Sequence, residues 1–176
     1  EVSPSGKLPV TFPRGVDQLP PFDDYAMDGR TYRFMHEEPL YPFGFGLSYT
    51  SFRYSDGTVS NARARIGEHV TVTARVQNVG DVPSAETVQC YIIDVEGSVR
   101  TPNASLCGIQ KIHLSPAEST QVSFEIGPQS MALVQADGSS VVEPGEFRVV
   151  IGSCSPGPRG VELGAAEAVT VEFAVG

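Results

Sequence analysis

The 176 residues are 40% hydrophobic and carry 12 Lys and Arg against 21 Asp and Glu, a formal net charge of −9. That apolar share supports a packed core, while the acidic balance argues against a nucleic-acid partner, because counterion release needs clustered Lys and Arg. No run of 18 apolar residues occurs, so no segment reads as a membrane-spanning helix.

Residues 1 to 52 hold ten of the 15 aromatic side chains, many prolines and little sustained periodicity. The chain opens abruptly at EVSPSGKLPV, as a piece cut from a longer polypeptide would. Further on, GRTYRF (Gly29 to Phe34) sets rings beside guanidinium groups. Rings stack on sugar faces and Arg donates to hydroxyls or carboxylates, which makes Arg30 and Tyr32 candidates for substrate contact, in the context of a full enzyme only. The plainer reading puts Tyr32 and Phe34 in a core at period 2, flanked by surface Arg30 and Arg33.

YPFGFGLSYT (residues 41 to 50) sorts into a bulky set, Tyr41, Phe43, Phe45, Leu47 and Tyr49, and a slim set, Pro42, Gly44, Gly46, Ser48 and Thr50. If extended, the bulky side chains point together towards a core, and the opposite side is nearly bare backbone that a second layer can approach. Alternatively, Gly44 and Gly46 permit positive φ and a bend. Both suit a tight joint, with Tyr41, Phe43, Gly44, Phe45, Gly46 and Tyr49 as candidate domain-interface residues. An ordinary first strand is the alternative.

From Ser55 onward the texture is that of antiparallel β structure. HVTVTARVQNVGD alternates Val70, Val72, Ala74 and Val76 with polar residues, then turns at Asn78 to Asp81. TVQCYII places Val88, Cys90 and Ile92 on one side, and Tyr91 and Ile93 make its other face unusually apolar. IQKIHL, QVSFEI, EFRVVI and VTVEFAV repeat the alternation, with turn chemistry at Asp56-Gly57, Asp137-Gly138 and Glu143-Pro144-Gly145-Glu146. GPQSMALVQ has room for one helical turn. Roughly seven strands in about 120 residues indicate an all-β fold, a fibronectin type III-like (immunoglobulin-like) β-sandwich behind an irregular aromatic and Pro-rich extension. The division falls at residues 1–49 and 50–176.

Chemical motifs are sparse. GFGLSY lacks the third glycine and the strand–helix setting of a dinucleotide loop, and neither a P-loop nor G-x-S-x-G is present. Asn103-Ala104-Ser105 is a formal glycosylation sequon. Asp23-Asp24 and Glu37-Glu38 are neighbours in sequence, which on an extended chain point apart rather than across a sugar. Cys90, Cys107 and Cys154 form no C-x-x-C; three free thiols of a reducing, cytoplasm-like compartment is the first reading, a Cys90–Cys107 bridge the second. His36, His69 and His113 lack ligand spacing, so no metal or cofactor is expected.

SGKLPVTFPRGVDQLPPF, GRTYRF, PLYPFGFGLSYTSFRYS, NVGD, VQCYI, GIQKIHLSPAEST and VVEPGEFRVVIG follow one another in the order seen at the C-terminal end of glycoside hydrolase family 3, which the chain resembles over residues 3 to about 153. The resemblance implies exo-acting β-glucosidases, β-xylosidases and their kin. It also implies an upstream barrel with an aspartate nucleophile and an α/β sandwich domain that often supplies the acid/base glutamate. Residues 1 to about 14 would be the last strand and exit of that α/β domain, and 15 to 49 a connector lying over the catalytic body. No catalytic residue carries over onto this chain. The implied role is a non-catalytic scaffold for a retaining β-glycosidase, with upstream domains of the same polypeptide as partners and a homodimer through uncovered apolar surface in their absence. A stand-alone carbohydrate-binding or protein-interaction module is the alternative, although flat sugar platforms favour Trp and the chain has none.

Overall fold

A computed structural model describes residues 2–176. The strands are β1 (Phe52–Val59), β2 (Arg63–Ala64), β3 (Val70–Asn78), β4 (Ser84–Asp94), β5 (Ser105–Leu114), β6 (Ser119–Ile126), β7 (Leu133–Val134), β8 (Ser140–Val141), β9 (Gly145–Gly152) and β10 (Val169–Val175). They form a three-stranded sheet β1-β3-β6, a five-stranded sheet β2-β10-β9-β4-β5 and the small hairpin β7-β8. All pairings are antiparallel except β2 with β10. This is the expected sandwich.

The core lies between the two large sheets. Val70, Val72, Ala74 and Val76 of β3 face Val88, Cys90 and Ile92 of β4, with Phe147, Val149 and Ile151 of β9 and Val122, Phe124 and Ile126 of β6 closing the layer. Each fully buried aliphatic side chain contributes about 1.5–3 kcal/mol relative to exposure. Asn78 ends β3 by satisfying the turn: its Nδ2 donates to Val82 O (2.8 Å) and Leu114 O (3.1 Å), and its Oδ1 accepts from Thr50 Oγ1 and Gly80 N.

Several local expectations change. Asp56-Gly57 does not end a hairpin; it is a bulge inside β1, where the register to β3 slips between Ser55 and Thr58 and Asp56 adopts φ +52°. GRTYRF does not run at period 2, because Thr31–Phe34 forms a single helical turn, α1. The turn expected in GPQSMALVQ is α2 (Pro128–Met131), which buries Met131, and Pro158–Glu162 adds α3, unseen in the sequence. Both begin with Pro, whose fixed φ suits the first helical position. Among residues 2–14 one isolated bridge forms, Phe12 with Tyr41.

Residues 2–51 lie as an arm over the outer face of the five-stranded sheet. A second apolar cluster forms there, from Tyr91, Val150 and Leu106 of the sheet, Ala104 beside it, and Tyr32 and Phe43 of the arm. The unusually apolar second face of β4 is thereby explained. It is covered by the arm.

Candidate functional site: the arm and its junction with the sheet

The decapeptide 41–50 does not behave as one extended strand. Gly44 has φ +78°, which turns the chain and breaks the alternation of faces. The bulky set therefore splits. Phe43 enters the second cluster, stacked on Tyr32 at 4.6 Å between centroids, and Phe45 is buried against Tyr41 at 6.0 Å. Tyr41 is partly exposed, whereas Leu47 and Tyr49 are 69% and 63% exposed and pin nothing in this chain.

The slim set receives close neighbours. A Cβ on Gly44 would fall 2.0 Å from Oε1 of Gln89, and one on Gly46 would fall 2.2 Å from the carbonyl oxygen of Gly6. Gln89, buried on β4, donates from Nε2 to Gly44 O (3.0 Å) and Ser153 O (2.7 Å), and its Oε1 accepts from the Tyr91 hydroxyl. One amide thus fastens the arm, the end of β9 and the sheet. Backbone bonds extend the junction, from Leu8 N to Phe45 O, Gly44 N to Leu8 O and Ser155 N to Phe43 O, each 2.8–2.9 Å. At the slim end, Ser48 Oγ lies 3.2 Å from both Ser3 Oγ and Ser84 Oγ.

Tyr32 is part of this packing. Its ring meets Phe43 and, edge to face at 5.8 Å, Tyr91; its hydroxyl accepts from Leu106 N (3.2 Å). Arg30 folds back onto its own loop, donating to the carbonyls of Pro21, Asp24 and Ala26. Both side chains are engaged within this chain, Tyr32 in the packing of the arm and Arg30 in its own loop. The sequon asparagine is also committed: Asn103 Nδ2 donates to Met35 O at 2.9 Å and Asn103 N to Arg33 O at 2.7 Å.

The adjacent carboxylates serve local structure. Asp24 caps Ala26 N, Glu38 pairs with Arg14, and Glu37 accepts from Gln18. Asp28 pairs with Arg100 and His36, which hold its carboxyl below the usual range, and this links the arm to the β4–β5 connection.

Four residues of the junction were not singled out from sequence: Lys7, Tyr54, Glu86 and Gln89. Lys7 Nζ and the Tyr54 hydroxyl both donate to Glu86 Oε1 at 3.0 Å, joining the arm, β1 and β4 in a largely buried cluster. Burial pushes the Glu86 carboxyl above its ordinary pKa, and Lys7 and Tyr54 oppose that only in part. The signal available was parity, since Glu86 shares the inward register of Val88 and Cys90. Gln89 could likewise have been flagged as the lone amide between Thr87 and Tyr91 on the second face. Lys7 carries no local sign, being 79 residues from its partner.

What the arm leaves uncovered is equally specific. Phe22 and Tyr25 are 98% and 90% exposed at the tip of the loop that Arg30 ties together, and Val16, Leu19 and Met27 are exposed nearby in sequence. A groove of about 520 Å³ runs beside them, lined by Val10, Leu19, Pro20, Met27, Tyr32 and Phe43 among others. Exposed rings beside an apolar groove form a patch of the kind found at interaction surfaces.

Comparison with known proteins decides the family. Residues 1–49 match the glycosyl hydrolase family 3 C-terminal domain and residues 86–155 the fibronectin type III-like domain. The chain belongs to the C-terminal region of glycoside hydrolase family 3. A beta-xylosidase of Formosa agariphila is 39% identical over 160 residues, covering 88% of this chain and 22% of that protein. The periplasmic beta-glucosidase of Salmonella typhimurium is 38% identical over 164 residues, 86% of this chain and 21% of that protein. A solved β-glucosidase from Erythrobacter marinus superposes with a TM-score of 0.81 at 37% identity, over 99% of this chain and 22% of that one. The family 3 region described here therefore spans about one-fifth of the length of the relatives it matches.

Proposed function

We propose that this chain is the non-catalytic C-terminal part of a retaining, exo-acting β-glycosidase of the β-glucosidase or β-xylosidase type. It scaffolds the catalytic body, with residues 1–49 as the end of the preceding α/β domain and its connector, and 50–176 as the fibronectin type III-like domain. The observation that carries the reading is the loop at Phe22 and Tyr25: two nearly fully exposed rings on a backbone wired in place by Arg30. A preorganised aromatic anchor loses little ordering entropy on docking, and the match of residues 1–49 to the glycosyl hydrolase family 3 C-terminal domain supports a partner in the same polypeptide.

In this reading Tyr41, Phe43, Gly44, Phe45 and Gly46 set the joint between arm and sandwich, and Tyr49 extends the docking face. Arg30 and Tyr32 act indirectly, as positioning residues for the loop. Separated from the catalytic body, the uncovered rings favour self-association into a dimer.

The test is a Phe22→Ser/Tyr25→Ser variant made both in the 176-residue chain and in the longer polypeptide carrying it. Thermal stability and glycosidase turnover of the longer protein should fall while the Tm of the short chain stays within a degree or two. Equal behaviour of variant and parent in the longer protein overturns the docking role.

A further inference from the structure

A different part of the molecule holds two thiols in unusual proximity. Cys90 on β4 and Cys107 on β5 have their sulfurs 3.6 Å apart, and the Cys107 sulfur lies 3.3 Å from the Cys90 carbonyl oxygen. Regular alternation would not produce this. With Ile112 and Leu114 facing the core, an unbroken β5 would send Cys107 outward. The register shows why it does not: Cys90 pairs with Gly108 and Tyr91 with Leu106, so Cys107 is the extra residue of a bulge. Leu106 consequently joins the outer cluster, and Cys107 packs against the main core. Gly108 makes the inward swing feasible, since a Cβ there would fall 2.5 Å from the Phe124 ring.

We propose that Cys90 and Cys107 are a dithiol that closes to an intrachain disulfide, a covalent clasp of edge strand β5 onto β4, when the chain meets a low-molecular-weight disulfide. Cys90 is opposed in register by Gly108, and it is the bulge that brings the Cys107 sulfur to 3.6 Å from the Cys90 sulfur. Bond formation needs the sulfurs to close by roughly 1.5 Å. Cys107 is the half-buried member and Cys90 the buried one, so an oxidant reaches Cys107 first. The geometry also differentiates the two. As a thiolate, Cys107 accepts from the Cys90 thiol, which draws its pKa below the ordinary value and raises that of Cys90.

The chemistry balances without a cofactor. The Cys107 thiolate attacks one sulfur of the small disulfide, forms a mixed disulfide and expels one thiolate with its electron pair. Cys90 gives up its proton and attacks the Cys107 sulfur, which expels the second thiolate. Two protein thiols are oxidised to one disulfide, the small disulfide is reduced to two thiols, and the two protons of the dithiol end on those products. Cys154 takes no part: it sits against α3, where a Cβ on Gly160 would fall 2.4 Å from its sulfur, and burial pushes its pKa up. Nothing in this inference depends on the proposed parent enzyme.

The test uses the 176-residue chain and oxidised glutathione as the probe. After incubation and removal of glutathione, thiols titrated in denaturant should fall from three to one, and peptide mapping should show Cys90 joined to Cys107. The closed clasp ties a loop of about 17 residues, and the oxidised chain should melt about 5–10 °C higher. C154S should behave like the parent in losing two thiols, and C90S and C107S should form no intrachain bridge. Three free thiols after oxidation, a glutathione adduct that persists on Cys107, a bridge that includes Cys154, or a lowered Tm would each overturn the proposal.

Discussion

Gly44→Ala is the sharpest perturbation of the junction. The native φ of +78° alone costs a residue with a Cβ about 1 kcal/mol. The larger effect is contact, because the new carbon would lie 2.0 Å from Oε1 and 2.8 Å from Cδ and Nε2 of Gln89. Gln89 must move, and its bonds to Gly44 O, Ser153 O and the Tyr91 hydroxyl go with it. At about 1 kcal/mol for each lost bond, the total comes to about 3–4 kcal/mol. Gly138 is the matched control: φ is +85°, and nothing lies within 4 Å of its Cβ position. Gly138→Ala should therefore cost only the backbone share, about 1 kcal/mol. Urea unfolding of the two variants, compared by midpoint at equal m-value, reads the difference. Hydrogen exchange at Ser155 N, which donates to Phe43 O, reports the junction itself. Equal destabilisation by the two substitutions would refute the claim that the slim face is slim because Gln89 occupies the space beside it.

Two further outcomes follow from the buried polar contacts. The Glu86 pKa is raised in the folded chain, so the folded state holds that proton to higher pH than the unfolded one. Its contribution is fully present below the unfolded value of about 4.3 and is lost as pH rises through the folded value. Glu86→Gln should flatten that downward slope in stability-versus-pH titrations, and Glu86→Ala, which strands Lys7 and the Tyr54 hydroxyl, should cost about 3 kcal/mol at pH 7; an unchanged slope in the Gln variant counts against the assignment. Tyr32→Phe removes only the acceptor for Leu106 N and should cost about 1 kcal/mol, while Tyr32→Ala also empties the stack with Phe43 and Tyr91 and should cost about 3–5 kcal/mol by the same unfolding assay. A Tyr32→Ala cost under 1 kcal/mol would mean that the arm does not pack in solution as described.

The sandwich was legible because one physical rule wrote most of it. A strand with one buried face must alternate, and β3, β6 and β10 do so visibly. The second layer was legible more faintly, in Tyr91 and Ile93, apolar where a solvent face would be polar. Other features hide for identifiable reasons. Asp56-Gly57 has turn composition, yet a bulge demands the same backbone freedom, so composition alone cannot separate them. The motif 41–50 has perfect alternation, but one residue at positive φ re-aims everything after it, and Leu47 and Tyr49 emerge into solvent. α1 is four residues long, too short to imprint a period. The Lys7–Tyr54–Glu86 cluster joins points far apart in sequence, and only the inward parity of Glu86 hinted at it. Arg30 and Tyr32 have the composition of a sugar site, and within this chain they also hold the loop and the arm.

The central claim is that turnover belongs to a body to which this chain is attached and not to the chain. Hydrolysis of aryl β-glucoside and aryl β-xyloside, measured side by side for the purified 176 residues and for the longer polypeptide carrying them, tests it most directly. The longer protein should release the aryl alcohol and the 176-residue chain should release none; steady release by the short chain alone would contradict the account.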